Sequence, residues 1–136
     1  MKAAPGFFGL RIPFLELLGV CGERAEGGMA RVSVELKPDL MNSLGVAHGG
    51  VVMTLLDVAM AMAARSTRAH AGGALTIEMS VSFMRPATGR ILVEGRVLHG
   101  GKSLLFCEGE ARDEAGELVA KALGTFRLRR EAHGGD

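Results

Sequence analysis

The chain contains no tryptophan and no tyrosine, and its only aromatic carbocycles are six phenylalanines. Proteins that hold single-stranded nucleic acid stack bases on aromatic side chains, and that chemistry has little to work with here. Cysteine is equally scarce. Cys21 and Cys107 stand far apart with no CxxC spacing, which argues against a disulfide framework and predicts reduced, intracellular thiols. Cys107 reads as a small apolar strand residue. An excess of one charge is also missing: 16 Lys and Arg stand against 15 Asp and Glu. The basic residues are scattered, so no stripe tracks a phosphate backbone and no nucleic-acid partner is expected. No apolar run reaches the roughly 20 residues of a membrane span. The longest, Gly49 to Ala64, carries an aspartate in its middle. Phe7 and Phe8 are not part of a long apolar run behind a basic patch, so no signal peptide is visible. The expected location is cytoplasmic, with no membrane partner. No spacing among the four histidines and two cysteines suggests a metal site. His70, His99 and His133 read as surface or turn residues.

What is present is enough for one domain. The chain has 136 residues, 48% hydrophobic, too few for two comfortable cores. Residues 1–136 are expected to form that single domain, with 1–11 and 131–136 flexible. Proline at position 13 and glycine at 19 frame a short helix, whose Phe14 or Leu18 could reach a pocket wall. Gly27-Gly28 is a turn. Ala30 to Lys37 alternates apolar and polar residues, the pattern of a half-buried strand. After residue 74 the alternation returns in runs near Leu75–Phe83, Ile91–His99, Ser103–Asp113 and Leu118–Arg129. Short glycine-bearing turns separate these runs and predict a continuous antiparallel meander. Ala120, Ala122, Gly124 and Phe126 share one face of the last run.

Everything is arranged around Asn42–Arg65. A glycine-rich turn, Gly45 to Gly50, opens into a helix from about Val51 to Ala64 that is apolar on every face, and such a helix is a buried one. Asp57 interrupts it. A lone buried carboxylate costs several kcal/mol, and Met53, Thr54, Met60 and Ala61, one turn away, offer no basic partner. A functional role competes with a structural one, in which the carboxylate is capped or buried at an interface. Gly49 and Gly50 place bare backbone at the helix N-terminus, where unpartnered amides and the helix dipole favour negative charge. That is a plausible oxyanion site, and the same glycines would also suit a tight turn of positive φ. His48 either bonds the loop backbone or grips a ligand. Asp57 lies about 10 Å along the helix from Gly50, too far for one carbonyl to meet both. Two antiparallel copies would bring the turn of one beside Asp57 of the other, which implies an obligate homodimer with its site between subunits.

The spacing Asn42-x-x-Gly45-x-x-His48-Gly49-Gly50, followed by Asp57, resembles the PaaI-type acyl-CoA thioesterases of the hotdog fold. Thr76 through Pro86 (TIEMSVSFMRP), Gly100-Gly101-Lys102-Ser103 and Pro13–Gly19 extend the resemblance over most of residues 12–129. It implies an α+β hotdog fold: one long central helix wrapped by a curved antiparallel sheet of about five strands, dimerising into a continuous sheet and often into a dimer of dimers, a homotetramer. It implies hydrolysis of a CoA thioester, with CoA as part of the substrate and no other cofactor or metal. In that scheme the Gly49 amide polarises the carbonyl, Asn42 and His48 support that side, and Asp57 of the neighbouring subunit activates water or attacks directly. Thr76 supplies a hydroxyl that orients the water. Arg85, Lys102, Ser103 and Gly50 would meet the CoA moiety, with Arg65 and Arg68 as further candidates for its phosphates. An apolar setting would raise the basicity of Asp57. Phenylacetyl-type and medium-chain acyl groups both suit the Met- and Leu-rich surroundings. An acyl-thioester hydratase or dehydratase, and a non-catalytic acyl-CoA binding module, are the alternatives.

Overall fold

The computed structural model describes residues 7–69 and 71–130. The expectations for residues 1–6, His70, His133 and 131–136 lie outside the described residues. Residues 7–11 do not behave as a loose end. Phe7 is buried, its ring packs edge-on against Phe8, and Phe7 and Leu10 exchange backbone hydrogen bonds.

The order of elements is α1 (Pro13–Leu18), β1 (Cys21–Glu26), β2 (Met29–Glu35), a short 3-10 turn at Pro38–Leu40, α2 (Gly49–Arg65), β3 (Ala71–Phe83), β4 (Arg90–Gly100), β5 (Leu104–Arg112) and β6 (Leu118–Arg130). The start of α1 is set by Pro13, and its end by Gly19 at φ 79°, a left-handed cap that favours glycine. Leu15 and Leu18 anchor α1 to the core. The six strands form one antiparallel sheet in the order β1-β2-β4-β5-β6-β3.

This is a hotdog fold, with one strand more than expected. The additional strand, β1, is almost wholly exposed and carries Gly22, Glu23, Arg24 and Glu26, so it shows no apolar alternation. The expected continuous meander also holds only for β4-β5-β6. Strand β3 crosses to the far edge and pairs with β6, because β2 occupies the other side of β4 in an unbroken register from Met29↔Arg96 to Glu35↔Arg90.

The sheet curls around α2, whose Leu55, Leu56, Ala59, Met60, Ala63 and Ala64 are buried. Close approach depends on small residues in the concave floor. A Cβ on Gly95 would come within 2.6 Å of the Ala59 backbone, and one on Gly109 within 3.1 Å of Leu56. The expected small face of β6 is present: Ala120, Ala122 and Phe126 are all buried.

The helix is not apolar-and-covered all round, as its composition suggested. β3 is an edge strand, so the helix face beside it is only partly roofed. Met53 is 41% exposed there, and Asp57 is half-buried.

Candidate active site

The turn before α2 is built by its own side chains. Asn42 Oδ1 accepts hydrogen bonds from the amides of Leu44 at 2.9 Å and Val46 at 3.3 Å, which folds the loop back on itself. Gly45 provides the positive φ of that loop, at 75°. Backbone bonds from Ala47 to Ala87 and from His48 to Leu40 then fix where the helix begins.

His48 is the N-cap: its Nδ1 accepts from the Gly50 amide at 2.8 Å. A neutral imidazole that accepts at Nδ1 carries its proton on Nε2, which here belongs to an exposed side chain. Two readings from the sequence change. Gly49 and Gly50 are helical and not positive-φ turn residues. Only one of their amides is open, because the cap engages Gly50. The Gly49 N–H has no acceptor among the described residues, and it points from the positive end of the helix dipole.

Asp57 sits two turns further on. It is not sunk in the protomer's core, as its apolar neighbours suggested; it lines an open cavity. Its Oδ1 accepts a hydrogen bond from Thr76 Oγ1 at 2.5 Å. The contact depends on a bulge in β3. The register against β6 shifts between Thr76 and Glu78, so Thr76 opposes the buried Phe126 and turns toward α2, while Met79 and Val81 face inward beyond it. Leu75 and Ile77 are left about half exposed. A bulge re-aims a side chain in this way, and strict alternation in the sequence hid it.

The cavity beside Asp57 encloses about 440 Å³ and is walled by Phe14, Met53, Val58, Ala61 and Met79 among others. Phe14 thus reaches it, while Leu18 is buried in the core beneath α1. None of the described lining residues is basic, and no ion pair of the described residues includes Asp57. The carboxylate is therefore held by a hydroxyl and faces an apolar space.

Gly49 lines a different cavity, about 360 Å³, with Asn42, Phe83, Arg85 and Val119. The two cavities share no residue. One protomer thus separates the open amide from the carboxylate. Arg85 stands near the amide and pairs with Glu117 at 3.5 Å. Lys102 and Ser103 line a third cavity elsewhere. Among the described residues no group of three or more His, Cys, Asp or Glu is gathered to hold a metal. No described helix is long and apolar enough to cross a membrane.

A curved antiparallel sheet around one long helix, with a bare amide at the helix start and an unpaired carboxylate midway, is the arrangement of the hotdog thioesterases. The chain belongs to the Thioesterase superfamily, whose family model matches residues 44–120. It is 30% identical over 131 residues to SSO2140, a provisionally named esterase of Saccharolobus solfataricus, covering 96% of this chain and 93% of that one. It is 30% identical over 107 residues to human acyl-coenzyme A thioesterase 13, covering 76% of each. Among solved structures, the conserved protein PA5202 of Pseudomonas aeruginosa superposes with a TM-score of 0.84 at 32% identity, covering 91% of this chain and 99% of that one. The E. coli PaaI protein of the phenylacetic acid degradation operon shares the fold, with a TM-score of 0.80 at 23% identity over 86% of this chain and 84% of that one.

Proposed function

We propose that this protein is a PaaI-type acyl-CoA thioesterase that acts as a homodimer and cleaves an aromatic or medium-chain acyl-CoA to the free acid and CoA. The observation that carries the reading is the Asp57–Thr76 pair, a carboxylate with no cation beside it, facing an apolar cavity. A thioester carbonyl develops negative charge as it is attacked. The Gly49 amide at the helix start stabilises that charge, an effect worth about 10²–10³ in rate for one donor. Asp57 either takes a proton from attacking water or attacks the carbonyl itself, with Thr76 orienting the water or the carboxylate. The thiolate of CoA is a good leaving group, so no strong general acid is required.

The dimer is supported by the separation of the two half-sites and by the edge of the sheet. β3 is 13 residues long, and Ile77, Phe83 and Met84 at or beside it are each 51% exposed. A long apolar edge strand invites pairing with another chain. Antiparallel pairing of two β3 strands lays the Gly49 turn of one copy beside Asp57 of the other.

The test is subunit complementation. Asp57→Asn removes the base. Gly49→Pro removes the amide at the first helical position, where proline is tolerated, and His48 already has the extended backbone that precedes proline, φ −62° and ψ 136°. Each variant alone is expected to lose about 10²-fold or more in thiol release. Co-refolded in equal amounts, they should regain about a quarter of parental activity, because half the dimers are mixed and each holds one intact site. No recovery with verified subunit exchange would reject a shared site. Turnover of an enoyl thioester without thiol release would make the protein a hydratase instead.

A further inference from the structure

One pole of the molecule gathers positive charge that the reaction scheme does not use. Arg68, Lys102, Arg129 and Arg130 line a cavity of about 400 Å³, and none of its described lining residues is acidic. None of the four has a carboxylate partner among the described ion pairs, although most other arginines of the chain do. The cluster is assembled from three distant parts of the chain. Arg68 follows α2 and donates to the backbone carbonyls of Gly101 and Lys102, which holds the β4–β5 turn in place. The amide of Leu128 donates to the Ser103 carbonyl at 3.0 Å, which ties the same turn to β6. The end of β6 then brings Arg129 and Arg130 opposite Gly73 and Ala71.

This basic cavity is continuous with the one at Asp57. An intervening cavity of about 440 Å³ is lined by Phe8, Met62, Arg65, Arg68 and Ala71 among others. It shares Met62 with the Asp57 cavity and shares Arg68 and Ala71 with the basic one. Arg65 stands in the middle with a buried Nε that has no hydrogen-bond partner. The surface therefore runs from a carboxylate in an apolar wall, past an arginine, to four cations. The eight-residue offset from Asp57 to Arg65 is about 12 Å of helix rise. Gly72-Gly73 on the flanking strand leave the floor without side chains, and nothing lies within 4 Å of a Cβ built on Gly73.

We propose that this path is the binding track for the CoA half of the substrate and that Arg68, Lys102, Arg129 and Arg130 form the subsite for its nucleotide phosphates. The inference rests on the thioesterase reading for the identity of the ligand. A phosphomonoester carries about two negative charges at neutral pH, and a diphosphate adds more, so a cavity with four cations and no acid suits this end of CoA. Arg68 also positions Lys102 through the turn. Arg85, which the sequence grouped with Lys102, lies in a different cavity of the protomer and is already paired with Glu117.

The experiment compares each acyl-CoA with the same acyl group on N-acetylcysteamine, which lacks the nucleotide. For the Arg129→Gln/Arg130→Gln double variant, and separately for Lys102→Gln, the preference for the CoA ester in kcat/KM is expected to fall by about tenfold or more. The fall should be carried by KM. Thermal melting of each variant confirms that it folds. An unchanged preference in a folded variant, while thioesters are still hydrolysed, overturns the subsite and leaves the thioesterase reading standing. If no thioester is hydrolysed at all, calorimetric titration with adenosine 3',5'-bisphosphate still decides the subsite: binding by the parent that is lost in the double variant supports it, and no binding overturns it. Selective loss of turnover with an acyl carrier protein, and none with acyl-CoA, would assign the cluster to an acidic protein partner and overturn it as well.

Discussion

Asp57 carries the chemistry only because of what surrounds it. It lacks a basic neighbour, it faces apolar side chains, and its one polar contact is the Thr76 hydroxyl. That hydroxyl can hold the carboxylate or orient water, and either role needs the O–H and not the methyl group. Thr76→Val keeps the shape and removes the hydroxyl. It should lower kcat for thiol release by about 10-fold to 100-fold through the lost hydrogen bond, while Thr76→Ser retains most of the rate. Equal rates for Val and the parent would remove Thr76 from the mechanism. His48 illustrates how one residue answers two questions posed by the sequence. Its Nδ1 bonds the backbone as a cap, and its exposed ring leaves the other nitrogen free to face a ligand.

The same dependence on context operates for whole elements. α2 can sit low in the sheet only because Gly95 and Gly109 offer no side chain beneath it. A Cβ at 95 would meet helix backbone, which cannot rotate away as a side chain can. Gly95→Ala is therefore expected to destabilise the fold by about 1–3 kcal/mol, the usual range for overpacking. Chemical denaturation measures this directly. The outer face of the same strands carries a charge ladder. Lys121 bonds Glu108 at 3.0 Å and Glu110 at 2.9 Å, and Arg96 also donates to Glu108. The bonds from Lys121 first, and from the arginines second, hold both carboxyls below the ordinary glutamate range, against the opposing effect of desolvation. A depressed carboxyl contributes stability that is present at neutral pH and is lost as pH falls below the unfolded value, about 4.3, toward the lower folded value. Glu108→Gln should shrink the drop in urea midpoint between pH 7 and pH 3. An equal drop in parent and variant would show that the ladder is not responsible.

At the scale of the molecule, the protomer is an incomplete object. It separates the open amide from the carboxylate into two cavities and exposes a long apolar edge. Both features are resolved if two β3 strands pair. Ile77 lies within the bulge of that edge, so Ile77→Lys is expected to give a folded monomer with little activity. Light scattering beside a thiol-release assay checks both at once, and a fully active monomer would defeat the dimer.

Much of this was legible in the residues alone. The helix, its glycine turn, Asp57 and the small face of β6 announce themselves through local spacing, because periodicity, capping and side-chain size act over a few positions. Their order along the chain and their polarity were enough to point to a helix wrapped by a sheet. Three things were not legible. The bulge that aims Thr76, the crossing of β3 to the far edge, and the gathering of Arg68, Lys102, Arg129 and Arg130 all depend on which strands pair and in which register. Pairing is a contest between distant segments, settled by the whole core, and no short stretch of sequence records its outcome.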